Sequence, residues 1–421
     1  AGPDDEETIM AGHTIEITAD DGGKFTAYVA VPRGGKGPGI VLCQEIFGVN
    51  GFIREVADYY AEEGYVAVAP DLFWRIEPGI QLGYTEDDWK KAFELFQKFD
   101  TDRGMRDITA TVKAMRAMPQ VVGKIGALGF CLGGRLAYLA AARSGVDCAV
   151  GYYGVTIDQY LDEADAIRVP LALHFAAEDK YAPMETVERI KARFAGRDSA
   201  EIHVYPGVDH AFARTGGMHF HKPSALMAHH RSIALFRRTM GPHYDFSALW
   251  DKHCEYEFAT RDVDATMGTM VPQPYVNHIP TMTGGVGHDH LKRFYKYHFI
   301  PRTPQDTTLI PLSRTIGEGI VVDEMLFCFT HDIEIDWMLP GVAPTGKRVE
   351  IPLVAIVKFR GDKLYNEHIY WDQASVLVQI GLLDPKGLPV AGIETARKLV
   401  DETLPSNTLM SRWSESEGKP L

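Results

Sequence analysis

The chain has 421 residues, 45% of them hydrophobic, and a formal net charge of −14 at pH 7. This length suits two or three domains with ample core, and the acidic balance argues against nucleic acid or an anionic membrane as partner. No apolar run is long enough to span a bilayer, residues 1–10 (AGPDDEETIM) lack a basic-plus-apolar signal pattern, and the five cysteines at 43, 131, 148, 254 and 328 form no CxxC pair. A reducing, cytoplasmic setting without disulfides or a cysteine zinc site is the expectation.

From residue 14 to 240 short apolar runs alternate with amphipathic stretches. GIVLCQEIFG (39–48), YVAVAPDLF (65–73), GKIGALGF (123–130), CAVGYYG (148–154) and PLALHFAAED (170–179) read as buried strands. FIREVADYYAEEGY (52–65) and DWKKAFELFQKFD (88–100) read as helices. The alternation predicts an α/β domain over residues 1–240, with a mostly parallel sheet and helices on both faces. In such sheets the working residues lie at the carboxyl ends of the strands. Gly241-Pro242 stops a helix and opens a linker, 241–246. A helical stretch at 247–260 and a short helix in HDHLKRFYKYHF follow, then long alternating runs at 319–337 and 348–372 with a turn at Gly361-Asp362. These predict an α+β second domain, 247–385, with helices on a curved antiparallel sheet. The tail, 386–421, carries a short helix at 393–402.

Within the first domain, GKIGALGFCLGGRLAYLAAA (123–142) reads as strand, sharp turn and helix, with Cys131 at the turn. The flanking glycines allow close backbone approach and strained dihedrals. A nucleophile there sits near a helix N-terminus, which favours a thiolate and an oxyanion. The Leu132 N–H is placed to meet that oxyanion. The alternative is a buried structural cysteine before a glycine-rich helix. A nucleophile elbow requires an acid and a histidine later in the chain. Asp179, ending an apolar strand, and His210, in the loop of YPGVDHAFAR, occur in that order. Asp179 would orient His210, and His210 would serve the thiol and then the leaving group. Glu178 and Asp209 read as solvated loop carboxylates, and His174 and His203 as structural.

QEIFGVN (44–50), APDLF (69–73), GFCLGG (129–134), AVGYYGV (149–155), EDKYAP (178–183) and DHAFART (209–215) together make residues 14–240 resemble dienelactone hydrolase, the carboxymethylenebutenolidase family of α/β-hydrolases. The resemblance implies a Cys131, Asp179 and His210 triad that cleaves lactone or ester bonds through a thioester acyl-enzyme. It implies that the thiol rests against Glu45, which takes its proton when substrate binds. It also implies that the Ile46 N–H joins that of Leu132 in the oxyanion hole. A carboxylate within IVLCQEIFG is costly to bury ionised, so the pKa of Glu45 is expected to rise. Arg214 keeps one family arginine. Trp89 and Phe93 stand where dienelactone-cleaving members carry arginine and tyrosine, and Ala211 replaces a serine. The expected substrate is therefore a small-molecule lactone or ester less anionic or bulkier than dienelactone.

THD (330–332), APTGK (343–347), GDK (361–363), EHIYWD (367–372) and QIGL (379–382) make the second domain resemble the SnoaL-like branch of the NTF2-like superfamily. Such cones host cyclases, isomerases, binding proteins and dimerisation modules. The resemblance offers Asp372 as an acid/base, with His331, Glu367 and His368 as helpers. Alternation puts His368, Tyr370 and Asp372 on one strand face, where they could share a cavity. The alternatives are a non-catalytic polar lining and a homo-oligomer interface. Asp289 reads as a helix cap rather than part of an HDH metal pair. HFH (219–221) and the glycines of TGGVG (283–287) carry no metal or nucleotide pattern. No cofactor and no metal are expected.

Overall fold

The computed structural model describes residues 12–421, so the N-terminal stretch read for a signal pattern lies outside the described residues. The chain folds as two compact units, dividing between His243 and Tyr244.

Unit 1 is built on an eight-stranded sheet. Its strands are β1 (His13–Thr18), β2 (Lys24–Ala30), β3 (Gly37–Cys43), β4 (Val66–Pro70), β5 (Val121–Phe130), β6 (Cys148–Tyr152), β7 (Leu171–Ala176) and β8 (Ala200–Tyr205), in the order β1-β2-β4-β3-β5-β6-β7-β8. The β1–β2 and β2–β4 pairs are antiparallel, and every pair from β4 through β3 to β8 is parallel. The helices are α1 (Gly51–Glu62), α2 (Glu86–Lys98), α3 (Thr101–Ala117), α4 (Leu132–Arg143), α5 (Met184–Phe194) and α6 (Lys222–Met240). Parallel strands covered on both faces are near-continuous apolar runs, and β4, β6 and β7 are buried at every residue.

The strand-to-helix turn between β5 and α4 depends on missing side chains. A Cβ on Gly133 would lie 2.1 Å from the Cys43 carbonyl oxygen, and one on Gly134 would lie 2.7 Å from that of Tyr152. Helix α4 therefore packs directly on the ends of β3 and β6, and Cys131 is forced into the turn.

Unit 2 carries a six-stranded sheet of β9 (Met270–His278), β10 (Thr283–Val286), β11 (Thr308–Gly317), β12 (Ile320–Thr330), β13 (Arg348–Arg360) and β14 (Lys363–Trp371), ordered β10-β9-β14-β13-β12-β11. All its pairs are antiparallel except β9–β14, which is parallel and corrects the expectation of a purely antiparallel sheet. Gly361-Asp362 joins β13 to β14 as a two-residue turn, with Gly361 at φ 60°. Helices α7 (Phe246–Cys254), α8 (Val263–Gly268), α9 (His288–Phe294), α10 (Gln373–Gln379) and α11 (Glu394–Val400) complete the unit. Two of them run on as single π-helical turns, α7 through Glu255–Ala259 and α9 through Tyr295–Phe299. Gly287, not Asp289, holds the N-cap position of α9; Asp289 lies in its first turn, bonded to His288. The TGGVG glycines mostly form β10, hydrogen-bonded to β9. Among the described residues no helix is long and apolar enough to cross a membrane.

A side chain at residue 133 cannot be accommodated without moving backbone. Gly133→Ala should lower the stability of unit 1 by about 1–3 kcal/mol, the ordinary cost of overpacking. Denaturant unfolding checks this, and an unchanged midpoint would contradict it.

Candidate active site

Cys131 has φ 57° and ψ −117°, a conformation that non-glycine residues seldom adopt. Its N–H donates to the Tyr152 carbonyl (2.9 Å), which ties the strained turn to β6. The residue is 8% exposed, at the N-terminus of α4. Leu132 begins that helix, where backbone N–H groups have no partner within the helix. Neither the Leu132 N–H nor that of Ile46 is used in a turn or cap among the described residues.

The loops after β7 and β8 bring Asp179 and His210 together. His210 Nδ1 lies 2.7 Å from Asp179 Oδ2, with the Asp179 side chain fully buried. The other carboxylate oxygen accepts from the Tyr181 N–H at 2.8 Å. Holding Nδ1 fixes the ring tautomer and leaves Nε2 for the thiol. Burial pulls the His210 pKa down, but charge on Cys131 and the Asp179 bond outweigh it and lift it to about 10.

Glu45 follows β3 and is 1% exposed. The thiol contact implied by the family resemblance is not the one formed. Glu45 Oε2 instead accepts from Arg214 Nη1 at 2.8 Å, while Oε1 makes no hydrogen bond. Burial raises the Glu45 pKa, and the Arg214 charge only partly opposes it. The Arg214 guanidinium also stacks over the Tyr84 ring, 4.1 Å from its centroid.

Glu45, Ile46, Cys131, His210 and Arg214 line one cleft that opens to solvent. Trp89, Phe93 and Phe96 of α2 form its apolar wall. Their i, i+4, i+7 spacing makes one stripe, while Ala92 and Leu95 turn into the core. Thr85 and Asp88 start that helix with a reciprocal capping box. Ala211 does not line the cleft. It is 3% exposed, at φ 67°, and packs in the core. Glu178 is exposed, and Asp209 bonds the His210 N–H. His174 is buried between Tyr205 and Ser232, as a structural histidine should be.

Sequence reasoning passed over Tyr84, Tyr153 and Arg135. Tyr153 packs its ring 5.0 Å from that of His210, and its buried hydroxyl has no partner. Arg135, one turn along α4 from the thiol, is 7% exposed and donates to Thr156 on the cleft wall. An arginine in a helix that also carries LAYLAAA was the available signal.

In unit 2 the face assigned from alternation is the wrong one. Asp372 is exposed and caps α10 by accepting from the Ser375 N–H, while Tyr370 is 41% exposed. His368 is half-buried against Tyr275. His331 is buried elsewhere, with Nδ1 on Thr345. Glu367 and Trp371 face the interior instead. His219 is half-exposed and His221 caps α6, so the HFH stretch gathers no ligand set.

The dienelactone hydrolase family model matches residues 25–240. A protein of Azospirillum brasilense is 44% identical over 230 residues, 54% of this chain and 99% of that protein. The carboxymethylenebutenolidase of Pseudomonas putida is 37% identical over 225 residues, covering 53% of this chain and 95% of its own. Carboxymethylenebutenolidase 1 of Cupriavidus pinatubonensis is 35% identical over 234 residues, 55% of this chain and all of its own, 100%.

A histidine whose folded pKa is raised lends stability that is complete below its unfolded value of about 6.5 and is lost as pH climbs through the folded value; here that value is about 10. Asp179→Asn should therefore lower the urea midpoint of unit 1 more at about pH 6 than at about pH 10.5. Equal losses at both pH values would contradict the buried ion pair.

Proposed function

The chain belongs to the dienelactone hydrolase family and is a hydrolase of ester or lactone bonds, and from that premise we propose that Cys131 is its nucleophile. The observation that carries the reading is the 2.7 Å bond between His210 and buried Asp179, in the cleft that Cys131 lines. The thiol proton already rests on His210, held there by Asp179 and by the charge on sulfur, and the thiolate attacks the carbonyl carbon. The Ile46 and Leu132 N–H groups stabilise the tetrahedral oxyanion. Collapse breaks the carbon–oxygen bond, and the imidazolium returns its proton to the leaving alkoxide, which leaves a thioester. Water attacks that thioester, giving one proton to His210; the acid is released, and the thiolate recovers the proton. Glu45, with a free Oε1 and a pKa raised by burial, is a second proton acceptor in the same cleft.

The substrate is less anionic or bulkier than dienelactone. The Arg214 charge is already met by Glu45, and the α2 stripe offers aromatic surface instead of polar groups. Binding by such a wall is driven by apolar area. Five unpaired cysteines favour a cytoplasmic setting.

For unit 2 we propose a SnoaL-like, NTF2-like cone that holds copies of the chain together. Ile310, Leu312 and Ile316 expose apolar surface along β11, which supports an oligomer interface. A cyclase or isomerase activity is the second reading, favoured by the buried carboxylates inside that unit.

Kinetics on a neutral aryl ester and on anionic dienelactone test the hydrolase reading. The native chain should show the higher kcat/KM on the neutral ester. Cys131→Ala should lower both values by at least about 10³-fold, as expected for removal of a nucleophile. Full activity in the variant would overturn the role of the thiol.

A further inference from the structure

A second group of ionisable side chains lies inside unit 2. His253, near the end of α7, and Glu257, in the π-helical turn that follows, are four residues apart and face the same side. Glu367 reaches them from β14. His253 Nε2 is 2.8 Å from Glu257 Oε1 and 3.3 Å from Glu367 Oε1, and one ligand atom from each residue lies within 4.8 Å of the others. Exposure is 0% for His253, 5% for Glu257 and 1% for Glu367.

Two of the three converging atoms are buried without an aligned hydrogen bond. His253 Nε2 and Glu367 Oε1 make no hydrogen bond, so the ring N–H direction meets neither carboxylate in line. The outer atoms are anchored. The Thr269 hydroxyl donates to the Thr266 carbonyl at 2.6 Å, so its oxygen accepts from His253 Nδ1–H at 2.7 Å. That bond fixes the neutral tautomer that carries its lone pair on Nε2. Tyr295, the first residue of the second π-helical turn, donates to Glu367 Oε2 at 3.0 Å. Outer-shell bonds of this kind orient metal ligands, and π-helical turns concentrate at functional sites.

Two buried carboxylates and an imidazole this close require neutralisation. A protonated His253 offsets one of the two negative charges, whereas one divalent cation held by the neutral ring offsets both. Ligands about 2.0–2.2 Å from a common ion stand roughly 2.9–3.5 Å from one another, close to the two separations from His253, 2.8 and 3.3 Å. We propose that His253, Glu257 and Glu367 bind one divalent first-row transition cation, of the kind suited to imidazole and carboxylate donors. Glu257 also lines a small apolar cavity with Phe258 and Trp337, with room beside the ion for little more than water. Sequence gave no hint of it, because Glu367 joins the pair only through the register of β14.

The test uses the full chain, stripped with chelator and titrated calorimetrically with Zn²⁺ and separately with Mn²⁺, with bound metal counted after desalting. One cation per chain is expected. Glu257→Gln and Glu367→Gln should each weaken binding at least about tenfold, whereas His219→Ala, a surface control, should not. X-ray absorption of the loaded native chain should show nitrogen and oxygen neighbours only, at about 2.0–2.2 Å; this decides the matter should either glutamine variant fail to fold. Failure of the native chain to retain either cation, undiminished affinity in both variants, or sulfur in the first shell would overturn the site.

Discussion

Helix α4 starts where it does because residues 129, 133 and 134 carry no Cβ. At Gly129 the clash would be with Gly133, its own neighbour in the turn, at 1.8 Å. At the other two positions it would be with the ends of β3 and β6. Removing those side chains lets a helix N-terminus press against three strand ends. The chain must then cross from strand to helix in a single residue, which puts Cys131 at φ 57°. The same constraint aims the first amides of α4 at the place where sulfur would bond to carbon. The turn cysteine, the helix dipole and the unused N–H groups are therefore consequences of one packing contact.

Around that turn the unit buries charge in pairs. Asp179 holds His210, and Glu45 holds Arg214, each pair almost fully withdrawn from water. Such pairs contribute little net stability and are costly to break singly. Their value lies in fixing direction. Asp179 sets which imidazole nitrogen faces the thiol. Arg214, stacked on Tyr84, holds one oxygen of Glu45 and leaves the other free. Unit 2 follows the same logic with different partners, anchoring the outer atoms of His253 and Glu367 so that the inner ones converge.

Much of unit 1 was legible because its signals are local. The elbow and the apolar strands sit within short windows, and the acid and histidine follow the thiol in the order an elbow requires. What was not legible depends on contacts across the chain. Glu45 meets Arg214 at a sequence separation of 169, and no window links them. At the end of β14, residues 367–371, the period of two separates two faces but does not say which one packs inward. Glu367 faces the core beside His253 and Tyr295, while the aromatic Tyr370 is left exposed. A carboxylate with distant partners can outrank an aromatic ring for an interior position, and polarity alone reads that backwards. Ala211 is a milder case, since adjacency to His210 in sequence did not carry its side chain into the cleft.

The central claim is that a thiol at the turn into α4 carries the acyl group. Acid-quenching the native chain during the first turnover of an excess neutral aryl ester, followed by peptide mass analysis, addresses it directly. The account predicts one acyl group, on the peptide containing Cys131 and labile to hydroxylamine. An acyl group found on any other side chain, or none through a resolved burst, would contradict it.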